Sequence, residues 1–237
     1  MFDAIAALTF LVLLSLIKGR PLALSRKAAT LDSLKEGFRF IRSTKIILAA
    51  ITLDMFAVLF GGAVALLPIY ATDILKVGPQ GLGIMRAAPS VGAIMMAFAV
   101  ANLPPFKNAG KTLLLAVTGF GVATIIFGLS TNFLLSVAML TLLGSLDNIS
   151  VIIRSTLMLT LTPDEMRGRT AAVNSIFIGT SNELGAFESG MAASLFGPII
   201  AVVAGGIGTI LVVLTIAKVW PEMRNLKTLD VPVEQAV

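Results

Sequence analysis

The stretch Ile46-Ile-Leu-Ala-Ala-Ile-Thr-Leu-Asp-Met-Phe-Ala-Val-Leu-Phe-Gly-Gly-Ala-Val-Ala-Leu-Leu-Pro-Ile-Tyr70 contains one charged side chain, Asp54. About 20 mostly apolar residues suffice for a helix to cross the hydrocarbon core of a bilayer, so this stretch predicts a transmembrane helix. Working outward, five more segments qualify: Gly83–Leu103, Thr112–Leu129, Phe133–Ile153, Ala171–Leu195 and Ile199–Val219. A shorter run, Ala4–Ile17, is uncharged, is preceded only by Asp3 and is followed by Lys18 and Arg20. A secretory signal begins with positive charge, so this run reads as the remaining part of a longer span. The expected fold is all-α: a polytopic transmembrane helix bundle with six full spans plus one partial N-terminal span. Its divisions would be a partial helix at 1–17, a cytoplasmic loop at 18–45, the bundle at 46–220 and a cytoplasmic tail at 221–237.

Composition agrees. Of 237 residues 57% are hydrophobic and 13% charged, against roughly 25% charged in a soluble domain. With no Cys and no His, the chain lacks thiolate metal sites, disulfides, the commonest metal ligand and the commonest general base. No cofactor is expected. A net charge of +5 would suit nucleic acid only if it formed a patch, and it does not. Sixteen of the eighteen basic residues fall on one side of the predicted spans, leaving Lys76 and Arg86 on the other. By the positive-inside rule the N-terminus is outside and the C-terminus cytoplasmic. Within the long inner loop, Ser33-Leu-Lys-Glu36 fits a capping box. Leu34, Phe38 and Ile41 follow at helical spacing beside Arg39, Arg42 and Lys45, which predicts an interfacial helix on anionic headgroups.

Ionisable groups inside a bilayer cost roughly 2.5 to 3.5 kcal/mol on insertion scales and usually face a cavity or a partner. Six stand out: Asp54, Arg86, Asp147, Arg154, Glu183 and Glu188. Asp54 lies about 12 Å into its helix at 1.5 Å per residue, sharing a face with Val58, Gly61 and Ala65. It is either a proton acceptor on a cavity wall or a structural hydrogen-bond partner. Arg86 opens a stripe of Gly83, Ser90, Ala93 and Ala97, small residues that let helices approach closely, and reads as structural. Asp147 and Arg154, two turns apart on one face, are too distant for a local ion pair, so each is expected to meet another helix. Asp147 is the deeper and the better functional candidate; Arg154 reads as an inner anchor or gate. On the Ala171–Leu195 helix, Asn174, Ser181, Gly185 and Glu188 share a face beside Ser175, Asn182 and Ser189. That face suits a water-accessible path or polar helix packing. Glu183 projects oppositely and needs Arg86 or a proton.

These residues also carry a resemblance. Thr162-Pro-Asp-Glu-Met-Arg-Gly-Arg169 resembles the loop between the tenth and eleventh helices of major facilitator superfamily transporters. Asp54–Pro68, Leu82–Ala93 and Val173–Gly185 are similar to helices seven, eight and eleven of its enterobactin-exporter-like branch. The resemblance covers nearly the whole chain and implies one half of the family's twelve-helix fold, from the end of helix six through helix twelve. The family's Gly-x-x-x-Asp-Arg signature is absent; the corresponding loop reads Pro104-Pro-Phe-Lys-Asn-Ala-Gly-Lys111.

The resemblance implies a secondary active transporter in a bacterial-type inner membrane, not an enzyme. It would export a small amphipathic compound by alternating access, as a proton-coupled antiporter. Asp54, Asp147, Glu188, Asn174 and Ser181 would line the proton or substrate path. Arg154, Pro163, Asp164, Arg167, Gly168 and Arg169 would shape the inner gate. Partners would be the lipid bilayer, the small-molecule substrate, and either a missing N-terminal half or a second copy; nucleic acid is not among them. Alternatives are a non-transporting fragment, a permease subunit needing a separate partner chain such as an ATPase, and an intramembrane protease using Asp54 and Asp147. No Gly-x-x-x-x-Gly-Lys-Ser/Thr phosphate loop occurs, so ATP would need another chain.

Overall fold

A computed structural model describes residues 31–104 and 106–227; the partial span expected over 1–17 and the end of the tail lie outside the described residues. The chain divides by its contacts at residue 31, and apart from the first residue of α1 the elements below belong to the unit 32–237. Among the described residues every regular element is helical. In order these are α1 (Leu31–Ser43), α2 (Lys45–Ile74), α3 (Gly78–Ala101), α4 (Ala109–Leu129), α5 (Phe133–Leu161), α6 (Asp164–Phe196), α7 (Pro198–Val219) and the short α8 (Pro221–Asn225). Five of them (α2, α3, α4, α5 and α7) are long and apolar enough to cross a membrane. α6 is longer than any of these but more polar, holding Asn174, Asn182, Glu183 and Glu188. The chain is an all-α membrane helix bundle.

Two spans overrun their expected ends for electrostatic reasons. α5 continues past Ile153 to Leu161, because Arg154, which marks the end of the apolar run in the sequence, is neutralised inside the bundle by Asp54. α6 begins at Asp164 rather than Ala171. Asp164 and Glu165 occupy its first turn, where the helix dipole favours acidic groups, and Arg167 pairs back to Asp164 at 2.8 Å. The expected loop motif is therefore only the Thr162-Pro163 turn; Arg167, Gly168 and Arg169 are helical.

α3 runs along α5, α4 lies against α5 and α7, and α2 meets α6 and α7. Apolar side chains gather in two layers. One holds Ile47, Leu53, Leu113, Leu157 and Ile216; the other holds Leu67, Tyr70, Met85, Phe127 and Leu140. Tyr70 anchors the second layer by stacking on Phe127 at 4.7 Å and donating its hydroxyl to the Gly128 carbonyl at 2.9 Å. The middles of α2, α4 and α5 lie between the layers.

The face of α3 that packs is not the expected one. Gly81, Met85, Ala88 and Gly92 are buried, whereas Gly83, Arg86, Ser90 and Ala97 are exposed. Both stripes have helical spacing, and periodicity alone does not say which meets a neighbour. The contact itself is backbone-close: Ser145 Oγ donates to the Gly92 carbonyl at 3.0 Å.

α1 also differs from its expectation. Leu31 and Asp32 are already helical, so Ser33 lies inside the helix and does not cap it, and Glu36 instead forms an ion pair with Arg169 of α6. Part of its apolar stripe packs on the bundle, while Phe38 stays 47% exposed. Ile41 is buried, Leu34 packs beside it, and Phe38 stacks on Phe177 at 6.3 Å. A Cβ on Gly37 would stand 2.8 Å from the Arg169 carbonyl oxygen, so only glycine permits this approach. Gly37→Leu should therefore undock α1 while leaving the spans folded. Trypsin should then cut after Arg39 and Arg42 at least about tenfold faster, while open amide exchange stays confined to α1. Unchanged cleavage would show that α1 is not held by this contact.

Candidate functional site

The site begins with a break in α2. Gly61 and Gly62 are poor helix formers, and Pro68 has no N–H to return to the carbonyl four residues earlier. The regular helix Lys45–Phe60 accordingly gives way to a 3-10 turn at Gly62–Leu66, then to Leu67–Ile69 and a π turn at Tyr70–Ile74. Irregular backbone at membrane depth is tolerated where it lines a cavity or is buried in protein. Both conditions hold here. A Cβ on Gly62 would lie 1.8 Å from Ser189 Oγ of α6, and Gly61, Gly62 and Ala65 line a cleft of about 400 Å³.

The cleft is bounded by α2, α3, α4, α5 and α6, through residues including Val58, Pro89, Phe120, Leu143 and Asn182. Its one charged lining group among the described residues is Asp147, midway along α5. Asp147 is exposed and makes no ion pair or side-chain hydrogen bond among the described residues. A second, narrow cavity of about 20 Å³ shares Val58, Phe120 and Asp147 with the cleft and reaches Asp54 and Ser150.

Asp54 lines this inner pocket and pairs with Arg154. They are 6% and 9% exposed and form a direct ion pair through Arg154 Nη1. The Arg154 Nε has no partner among the described residues. Arg154 also attracts Asp147, and the two carboxylates repel one another. Two acids thus share one guanidinium. The sequence pattern leads one to expect Arg154 and Asp147 each to meet another helix. Arg154 does, but as a buried partner of Asp54 rather than an interfacial anchor.

The other expected residues are dispersed. Ser181 is buried and donates to the Phe177 carbonyl of its own helix at 2.7 Å. Ser181, Gly185 and Ser189 are the buried row of α6, with Gly185 2.9 Å (Cβ position) from the Val58 carbonyl of α2, so this row is a helix contact. Asn174 is half-buried, and Glu188 is half-buried with Ser189 Oγ 3.5 Å from its carboxylate. Neither lines the cleft. Arg86 and Glu183 are both exposed, and no ion pair joins them among the described residues. Asn182, from the adjacent polar row, is the α6 residue that lines the cleft, beside Ala186. Phe120 does not stand out in the sequence, because one aromatic residue in an apolar helix carries no signal. The Gly61-Gly62…Pro68 break could have been read as one.

Residues 1–234 match the family described as Transmembrane secretion effector. The chain belongs to that family, within the major facilitator superfamily. The curated relatives include the "Enterobactin exporter EntS" of Escherichia coli (strain K12), 27% identical over 224 residues, covering 94% of this chain and 54% of the relative. The proteins of that name from Escherichia coli O1:K1 / APEC and O139:H28 (strain E24377A / ETEC) match to the same extent. The chain spans about half the length of these relatives. No solved structure matches it. In this family member the Pro163–Arg169 stretch holds α1 through Arg169, and none of its residues lines the cleft.

Proposed function

We propose that this chain forms the C-terminal half of a secondary exporter, which moves a small amphipathic compound out of the cell by proton-coupled alternating access. The observation that carries the reading is the cleft with Asp147 midway along its span, backed by the buried Asp54–Arg154 pair. Transporters place substrate and coupling sites near the bilayer midplane, beside broken helices and between two bundles that rock. A cleft of this size accepts a small molecule, and its lining is mostly apolar.

In this reading Asp147 takes up and releases the coupling proton, and Asp54–Arg154 holds α2 to α5 beneath it. Asn182 contributes a polar wall. Arg167 and Arg169 position the inner ends of α6 and α1 as the gate. The protein would sit in a bacterial inner membrane with its C-terminus cytoplasmic, its cavity completed by an N-terminal half or a second copy. The curated relatives' name, an exporter, supports the direction.

The test is efflux of a fluorescent amphipathic dye from liposomes holding the 237-residue chain, with and without a proton gradient, beside Asp147→Asn. Gradient-driven efflux is expected, falling at least about a hundredfold in the variant, since a permanently neutral amide carries no proton. Gradient-driven efflux unchanged by the substitution would remove Asp147 from the coupling path. No efflux by either protein, with insertion verified, would overturn transport by this chain alone.

A further inference from the structure

The charge balance of the cleft points to the kind of compound it accepts. Arg154 is already paired to Asp54, so the cluster of Asp54, Arg154 and Asp147 holds two carboxylates against one guanidinium. Among the described residues no Lys or Arg lines the cleft, and Asp147 is its one charged wall residue. An unpaired carboxylate against low-dielectric walls is costly unless a cation or a proton neutralises it. Around it are Val58, Leu143 and the Phe120 ring, an apolar body-binding surface with an aromatic face of the kind that attracts cations. An anionic compound would be repelled by the same residue that would hold a cation.

We propose that the cleft is a binding site for hydrophobic organic cations, with the cationic centre seated on Asp147 and the apolar body against Val58, Phe120 and Leu143. For what becomes of the bound compound, this rests on the export reading. Binding itself does not depend on it. Cation and proton then compete for one carboxylate, so each leaves when the other arrives. The exposed Arg86 and Glu183 of α3 and α6 lie outside the lining and are not needed.

The experiment compares two probes of nearly equal shape and opposite charge, tetraphenylphosphonium and tetraphenylborate, by equilibrium dialysis against the purified 237-residue chain in detergent. Saturable tetraphenylphosphonium binding is expected, weakened at least about tenfold by Asp147→Asn and kept within about threefold by Asp147→Glu. Tetraphenylborate should show no saturable binding. The variants should elute as wild type in gel filtration and retain its helical circular dichroism, since Asp147 makes no ion pair or side-chain hydrogen bond among the described residues. Equal binding by Asp147→Asn, comparable binding of the borate, or no saturable phosphonium binding to wild type would each overturn the assignment. The liposome assay separates the two readings. Asp147-dependent dye efflux that phosphonium does not inhibit would leave export standing and remove the cation site. Phosphonium binding at Asp147 without any efflux would do the reverse.

Discussion

Arg154→Met is expected to destabilise the folded bundle by about 3–5 kcal/mol, the usual cost of leaving one member of a buried ion pair alone. Both partners are almost fully buried, so water cannot replace the lost guanidinium. Asp54 must then either keep an uncompensated charge beside Asp147 or take up a proton, and both cost free energy relative to the pair. Deleting both charges is a different matter. Asp54→Leu with Arg154→Met removes the two desolvation penalties together, and such replacements are often neutral or stabilising. The double variant should therefore recover most of the loss, giving a strong coupling in a double-mutant cycle. Unfolding in dodecyl maltoside with added denaturing detergent, followed by circular dichroism, reads all four corners. If Arg154→Met proves no worse than the double variant, Asp54 is not held by this guanidinium.

That same pair marks where sequence reading stops. The spans are legible because an apolar run about 20 residues long is what a bilayer crossing requires, and their order and number carry the family resemblance. The depth of Asp54 and Asp147 is legible too. Their partners are not. Which of two carboxylates Arg154 meets depends on how α2 and α5 are rotated about their axes, and membrane helices that are apolar all round give no moment to fix that rotation. For the same reason α3 packs through Gly81, Met85, Ala88 and Gly92 rather than through the equally plausible stripe one face away. On α6, Ser181 and Asn182 are neighbours in sequence, yet one is buried and the other lines the cleft. α1 shows a further limit. Its amphipathic pattern is real, but such a pattern says that a face is covered without naming what covers it.

Gly144→Leu is expected to cost about 3 kcal/mol or more and to separate α3 from α5. A Cβ at this position would stand 1.9 Å from the Pro89 carbonyl oxygen, and the contacting atoms are backbone. A side chain could rotate away; a helix must move as a whole. Overpacked sites that can adjust usually cost 1–3 kcal/mol, so about 3 kcal/mol is the lower bound here. Intrinsic propensity works in the opposite direction, since leucine favours a helix over glycine by up to about 1 kcal/mol. Gly179→Leu on α6 isolates that term. Nothing lies within 4 Å of its Cβ position, so this variant should melt at or above the wild-type temperature while Gly144→Leu melts far below it. Gly92 supplies an internal check, because its own Cβ would lie 1.8 Å from the Thr141 carbonyl oxygen of α5. The two glycines hold one contact from opposite sides. Once Gly144→Leu has parted the helices, adding Gly92→Leu should cost much less than it does alone, a non-additivity expected of residues sharing one interface. Strict additivity would mean that α3 and α5 yield locally at each glycine. Pro89 and Gly144 also line the cleft, so the spacing these glycines permit sets its width, and Gly144→Leu should weaken tetraphenylphosphonium binding even at temperatures where the variant remains folded.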